Sequence, residues 1–208
     1  MFITLEGPEG SGKSTQLSLL AAFLEEEGFS VLATREPGGT PIGDQIRAIL
    51  HDVNNTEMEP ATEYLLYSAS RAQLVREVIK PALAENRVVL CDRYADSTIA
   101  YQGYGRGLNL DDVLTIAQFA TAGLVPDLTF LLDIDVEEGL HRRISGAEEM
   151  NRLDLEAVAF HQRVRDGYHQ LAATDPKRWV IIDAGQSAVE IQRELRAVTL
   201  DRLSEAVQ

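Results

Sequence analysis

Residues 7–15 read GPEGSGKST, which sets Gly7, Gly12, Lys13 and Ser14 at the spacing G-x-x-x-x-G-K-[ST]. By chance about one 200-residue chain in a hundred or fewer carries this pattern. The segment follows the apolar run MFITLE and opens a helical pattern, so backbone N–H groups and a helix N-terminus converge where phosphate oxygens would sit. Lys13 suits neutralisation of the β and γ phosphates of a nucleoside triphosphate, and Ser14 suits ligation of Mg²⁺; Gly10 and Gly12 let the backbone approach. Glu9 breaks the logic of such a loop, because a carboxylate aimed into a phosphate nest opposes it. Its side chain is expected to project outward, either to a hydroxyl donor such as the sugar of a second substrate or to solvent.

A second cluster, CDRYADSTIAYQGYGRG at residues 91–107, ends another apolar run. Asp92, where that run leaves the core, suits a role near Mg²⁺ or its waters. Arg93 offers a planar fork for bidentate phosphate contact, or else a buried ion pair with Asp92. The loop TREPGGTPIGDQIR brings Arg35, Glu36 and Arg47, either to the same sheet edge or simply as a Pro-Gly turn leading into a helix. In EYLLYSASRAQLV, Tyr67 and Arg71 stand at i and i+4 on one helical face. Such a pair can stack on a base and donate to its carbonyls, or be a core tyrosine beside a surface arginine.

The elements that must position these residues are five near-continuous apolar runs: FITLE, SVLAT, RVVLCD, LTFLLDI and WVIIDA. They read as parallel strands buried on both faces. Helical stretches alternate with them at 14–27, 42–50, 62–86, 111–122, 136–144, 155–174 and 188–206, with Pro81 the weak point of the third. The expected fold is a doubly wound α/β sandwich with ligands at the carboxyl ends of the strands. The polar segment ISGAEEMNRLD, 144–154, reads as a mobile loop.

The 208 residues suit one domain, 1–208, and the net charge of -14 argues against nucleic-acid or anionic-membrane partners. With no long apolar run and no signal-peptide pattern, a cytosolic protein is expected. The single cysteine, Cys91, reads as strand packing. His51, His141, His161 and His169 show no metal-ligand spacing, and His161 and His169 read as ordinary positions on a charged helix.

The blocks EGPEGSGKST, TREPGGT, LLYSASRAQLV, VVLCDRYADSTIAYQGYGRG, PDLTFLLD and NRLD occur in the order seen in thymidylate kinases, and the chain resembles that family from Phe2 to about Ala184. The resemblance implies a P-loop, nucleoside monophosphate kinase-like fold with a five-stranded parallel sheet, a lid at about 142–154, and transfer of the ATP γ-phosphoryl group to dTMP with Mg²⁺. It implies that Gly7, Pro8, Glu9, Gly10, Ser11, Gly12, Lys13, Ser14 and Thr15 hold ATP, with Ser14 and Asp92 at the metal. Glu9 would face the acceptor's sugar hydroxyl. Arg47 and Arg93 would clamp the dTMP phosphate, Tyr67 would stack on thymine, and Arg71 would donate to its carbonyl. Thr98, Tyr101 and Gln102 would line the base and the 2′ side of the sugar, and Glu36 would lie near the acceptor phosphate and Mg²⁺. The family has two designs for the phosphate-bridging arginine. Gly10 stands where one of them has Arg, so this chain resembles the bacterial lid type, whose arginines here are Arg142, Arg143 and Arg152. Arg142 would lie against adenine and Arg152 would meet the transferring phosphoryl group, with Lys13, Arg93 and Glu9 completing the catalytic set. A homodimer is implied, through the long helices after residues 62 and 111. Rival readings are a kinase for another monophosphate or deoxynucleoside, a nucleotide-binding switch without turnover, and a nucleic-acid-stimulated ATPase.

Overall fold

The computed structural model describes residues 1–146 and 150–206. Ala147, Glu148 and Glu149, which fall within the polar segment expected to be a loop, and Val207 and Gln208 lie outside the described residues.

All five apolar runs are strands: β1 (Phe2–Glu6), β2 (Val31–Arg35), β3 (Val88–Asp92), β4 (Leu128–Asp133) and β5 (Trp179–Asp183), parallel and ordered β2-β3-β1-β4-β5. The central strands β1, β3 and β4 are buried along nearly their whole length, whereas the edge strands β2 and β5 are only partly covered. The chain passes from β1 to the edge at β2, returns to β3, and then crosses to β4 on the other side of β1. That reversal opens a crevice at the carboxyl ends of β1 and β3. Register makes it narrow, because Asp92 pairs with Leu5 on one side and Arg35 on the other. The loops after β1, β2 and β3 therefore begin side by side.

The period-2 alternation of β1 divides its side chains between two cores. Ile3 and Leu5 pack with Leu20 and Leu24 of α1 (Lys13–Glu26) and Leu195 of α9 (Ala188–Ala206). Phe2 packs on the opposite face with Leu74, Ile79 and Tyr94. Each fully buried leucine contributes roughly 1.5–3 kcal/mol. Glu6 shares the Phe2 face and is fully buried.

α2 (Pro41–His51) starts where Thr40 accepts the Gly43 N–H at 3.0 Å and Pro41 presets the first turn. The third helical stretch is interrupted, as Pro81 requires. α3 (Pro60–Leu74) passes into a wide π turn, Val75–Ile79, and then α4 (Lys80–Ala84). Proline lacks the N–H that would continue the ladder, and the wide turn gives its ring room.

Two regions correct the sequence reading. Residues 95–105 form α5 (Ala95–Thr98) running into a second π turn, Ile99–Gly105, where no helix was expected. Gly103 and Gly105 looked like turn residues, yet their role is close packing: a Cβ on Gly105 would lie 2.8 Å from the Phe160 ring. After α6 (Leu110–Thr121) and α7 (Val136–Ser145), a 3₁₀ turn, Arg152–Leu155, precedes α8 (Val158–Thr174), so the helix expected from 155 starts later. The end of the expected loop is ordered by a capping box, in which Asn151 accepts from Leu153 and Asp154 N–H groups and Asp154 accepts from Asn151.

Candidate active site

A cavity of about 500 Å³ occupies the crevice. Of the residues singled out in the sequence, Glu9, Gly10, Gly12, Lys13, Ser14, Thr15, Glu36, Arg47, Tyr67, Arg71, Asp92, Arg93, Thr98, Tyr101, Gln102, Arg142 and Arg143 all line it, as does Arg35. Gly7, Pro8 and Ser11 form the back of the loop, where their carbonyl or hydroxyl oxygens accept from Lys13 Nζ at 3.1, 2.8 and 3.1 Å. Arg152 does not line the cavity.

Gly12 caps α1 with φ 84°, a left-handed conformation that favours glycine. Gly10, at φ 70°, lies against α7 so closely that a Cβ would run into the carbonyl oxygen of Gly139. An arginine at position 10 has no room here. Burial, helped by the Arg93 charge, lowers the Lys13 ammonium from 10.5 to about 8 although Glu9 and Asp92 oppose the shift. Ser14 Oγ donates to Asp92 Oδ2 at 2.5 Å, so two hard oxygen donors lie together at the phosphate end of the cavity.

Glu9 turns out of the loop, as expected, and meets Arg93. Arg93 Nη2 donates to Glu9 Oε1 at 2.9 Å, and the Tyr101 hydroxyl donates to the same oxygen at 2.8 Å. Burial alone would raise the Glu9 carboxyl, but Arg93 and then Lys13 outweigh it and hold it at about 2. Arg93 itself has φ 68° and stacks on Tyr101, its guanidinium carbon 4.8 Å from the ring centre. Its Nη1 donates to the Ser97 and Tyr168 hydroxyls, each at 3.2 Å. The alternative of an Asp92–Arg93 pair is therefore replaced by Glu9–Arg93, across the two loops.

Tyr67 and Arg71 occupy successive turns of α3, facing this cavity. Arg71 is fully buried: Nε donates to Glu36 Oε2 at 2.8 Å and Nη2 to the Tyr94 carbonyl at 2.9 Å. Its Nη1, the second oxygen of Glu36 and the Thr98 hydroxyl are buried without partners. Arg47 Nη1 donates to the Pro37 carbonyl at 3.1 Å.

Arg142, Arg143 and Arg152 all have partners within the protein. Arg142 donates to the Ala184 carbonyl at 2.8 Å and to Glu138 at 2.5 Å. Arg143 pairs with Asp154 at 3.0 Å. Arg152, only 8% exposed, pairs with the fully buried Glu63.

Sequence reasoning missed several residues that build this site. Glu6 accepts from the Tyr94 N–H at 2.7 Å, Ser97 Oγ at 2.5 Å and the Tyr168 hydroxyl at 3.0 Å. Burial, then the Asp96 charge, push its carboxyl up to about 7. A carboxylate ending an otherwise apolar central strand was the available signal. Tyr168 and Glu63 carried none, being single polar positions on helices. His51 also lines the cavity, and burial lowers it to about 4. His161 is not an ordinary surface position: it is buried against Phe160, ring centres 5.4 Å apart, with Nε2 unpartnered. His169 is partly exposed and 3.2 Å from Asp133.

The sequence profile described as "Thymidylate kinase" matches residues 5–195. The thymidylate kinase of Geotalea uraniireducens (strain Rf4) is 55% identical over 209 residues, covering 98% of each chain. That of Roseiflexus castenholzii (strain DSM 13941 / HLO8) is 52% identical over 95% of this chain and 92% of the relative. The crystal structure of thymidylate kinase from Ehrlichia chaffeensis superposes with TM-score 0.77 at 34% identity, covering 96% of this chain and 98% of that one. With a phosphate loop and a Glu9–Arg93 bridge in one crevice, and with likeness along its length, the chain belongs to the thymidylate kinase family.

Proposed function

We infer that this crevice carries out the family's reaction, passing the γ-phosphoryl group of ATP to dTMP to give dTDP and ADP in dTTP biosynthesis, with the roles set out below. The observation that carries the assignment of roles is the Glu9–Arg93 contact, because it joins the phosphate loop to the loop after β3 on the wall of one cavity.

The loop from Gly7 to Thr15 holds the ATP phosphates, and Lys13 leaves the Gly7 and Pro8 carbonyls to meet them. Ser14 and Asp92 fit Mg²⁺ as adjacent oxygen donors; bound there, the ion would neutralise charge on the β and γ phosphates. Arg93 and Arg47 hold the dTMP phosphate, Tyr67 stacks on thymine, and the free Nη1 of Arg71 donates to a thymine carbonyl. Glu9 accepts from the sugar hydroxyl, Thr98, Tyr101 and Gln102 close the base and 2′ side, and Glu36 fixes Arg71. Arg142 lies against adenine, and Arg152 meets the transferring phosphoryl group after leaving Glu63. Phosphoryl transfer needs alignment, charge neutralisation and exclusion of water, and an anionic acceptor phosphate needs no general base. ADP release measured side by side with dTMP, dUMP and dCMP tests the acceptor; preference for a different monophosphate overturns the assignment.

The protein acts as one cytosolic domain, and as a homodimer. α3 and α6 expose Leu65, Leu114 and Phe119, the last 77% accessible, more apolar surface than a monomer needs. Sedimentation should give a dimer at micromolar concentration, and a monomer there refutes it. No described helix is long and apolar enough to cross a membrane. The charge of -14 argues against a nucleic-acid partner, and the partners of this reading are ATP, dTMP and a second copy.

A further inference from the structure

Arg71 and Gln102 stand on the cavity wall with the unpartnered Thr98 hydroxyl, which can donate or accept and so does not choose between bases. Arg71 presents Nη1, buried and unpartnered, and a guanidinium can only donate. Gln102 lines the same cavity, but an amide can present either a donor or an acceptor, and nothing in Gln102 decides which.

The deciding group is Glu63, on the first turn of α3 and fully buried. Its Oε1 accepts from Gln102 Nε2 at 2.7 Å. Arg106 grips both carboxylate oxygens, Nε to Oε1 at 3.2 Å and Nη2 to Oε2 at 3.0 Å, and Arg152 adds a second cation at Oε2. Arg106 is fixed in turn over the Phe160 ring at 4.7 Å and on Glu156 at 2.6 Å. Burial alone would raise the Glu63 carboxyl, but hydrogen bonds from Arg106 and Gln102, and the charges of Arg106 and Arg152, hold it below its ordinary value. The group is therefore ionised at working pH and accepts only.

We propose that Glu63, which does not itself line the cavity, is a positioning residue for base selectivity: it holds Gln102 with Nε2 turned away and Oε1 offered to the base. The same wall then presents a donor, from Arg71, and an acceptor, from Gln102. That pair complements the O4 and N3–H of thymine or uracil. Cytosine offers an amino donor and a bare ring nitrogen at the same two atoms, so donor meets donor and acceptor meets acceptor. This inference rests on the acceptor assignment made above for Tyr67 and Arg71.

The test is kcat/KM for dTMP, dUMP and dCMP in the wild type, in Glu63→Gln and in the double exchange Glu63→Gln with Gln102→Glu. Wild type should reject dCMP by about 10³-fold or more, because a site built for one hydrogen-bonding edge leaves buried groups unpaired against another. In Glu63→Gln the new amide donates as well as accepts, Gln102 is free to turn, and the dTMP to dCMP ratio should fall about 10–100-fold. The dTMP to dUMP ratio should not move, since the two share that edge; general loosening of the site would lower all three alike. The double exchange keeps one carboxylate near the same arginines and an acceptor toward the base, so rejection of dCMP should return. An unchanged dTMP to dCMP ratio in Glu63→Gln, or an equal loss with all three nucleotides, overturns the proposal. Should that variant fail to fold, the double exchange still tests the premise: retained rejection of dCMP supports an acceptor at position 102 as the group that reads the base, and acceptance of dCMP overturns the proposal. If wild type itself turns over dCMP as well as dTMP, the acceptor assignment falls and takes this inference with it.

Discussion

The region around Arg93 and Arg71 and the region around Lys13 and residues 142–154 hold their cations differently. Arg93 is bound to Glu9, Tyr101, Ser97 and Tyr168, and Arg71 to Glu36 and the Tyr94 carbonyl, while each remains on the cavity wall. Their anionic partners are part of the same wall, so an acceptor can add to the existing arrangement without breaking it. Lys13 is folded back on its own loop, and Arg142, Arg143 and Arg152 are held by Glu138, Asp154 and Glu63. There a ligand must displace protein acceptors. On the roles proposed above, one half of the crevice is preorganised for a nucleotide and the other would exchange partners when one arrives.

Replacing Arg152 tests this contrast most severely. If Arg152 leaves Glu63 for the transferring phosphoryl group, Arg152→Ala should lower kcat by about 10³ to 10⁵ while the KM for dTMP stays nearly unchanged. Glu63 keeps Arg106 as a partner, so folding should survive. A kcat near wild type would make the Arg152–Glu63 pair purely structural and would pass the phosphoryl role to Arg143, which already lines the cavity.

A smaller effect is expected in the preorganised half. Glu9→Gln removes the charge from the hydrogen bonds to Arg93 and the sugar hydroxyl, worth roughly 1.5–3 kcal/mol for a bond to an ionised group. The KM for dTMP should rise about 10–150-fold and that for ATP should change less than about twofold. The reverse pattern would return Glu9 to a plain position in the phosphate loop and dissolve the distinction between the halves.

What the sequence disclosed follows the same division. The five strands and the phosphate loop were legible, because buried parallel strands leave continuous apolar runs and the phosphate loop has a fixed spacing, whereas Arg93, Tyr67 and Arg71 were singled out by type and spacing with alternatives left open. The partnerships were not legible. Glu9 with Arg93, Arg71 with Glu36, and Arg152 with Glu63 join residues 84, 35 and 89 positions apart, and no local periodicity records such pairings. The helix over 95–105 escaped for a related reason: Gly103 and Gly105 break helical propensity locally, yet they are what lets that segment pack on Leu110 and on the Phe160 and Val164 side chains of α8. Glu6 was marked only by being a carboxylate at the end of a mostly apolar strand.

The smallest expected effect concerns protons at Lys13. Its value near 8 lies below the ordinary 10.5, so between those pH values the unfolded chain binds a proton that the folded one does not. Lys13 therefore makes the free protein's stability rise with pH across that window, and the contribution is lost as pH falls through about 8. Triphosphate oxygens drawn to Lys13 favour its charged form and move it back toward 10.5, which means ATP binding near pH 9 should take up close to one proton, and near pH 7 almost none. Calorimetric titration of ATP in two buffers of different ionisation enthalpy gives that number directly, and Lys13→Met should abolish the uptake at pH 9. Equal proton uptake at the two pH values would mean that Lys13 is already held charged by Glu9 and Asp92, and the phosphate end of the crevice would then be as preorganised as the acceptor end.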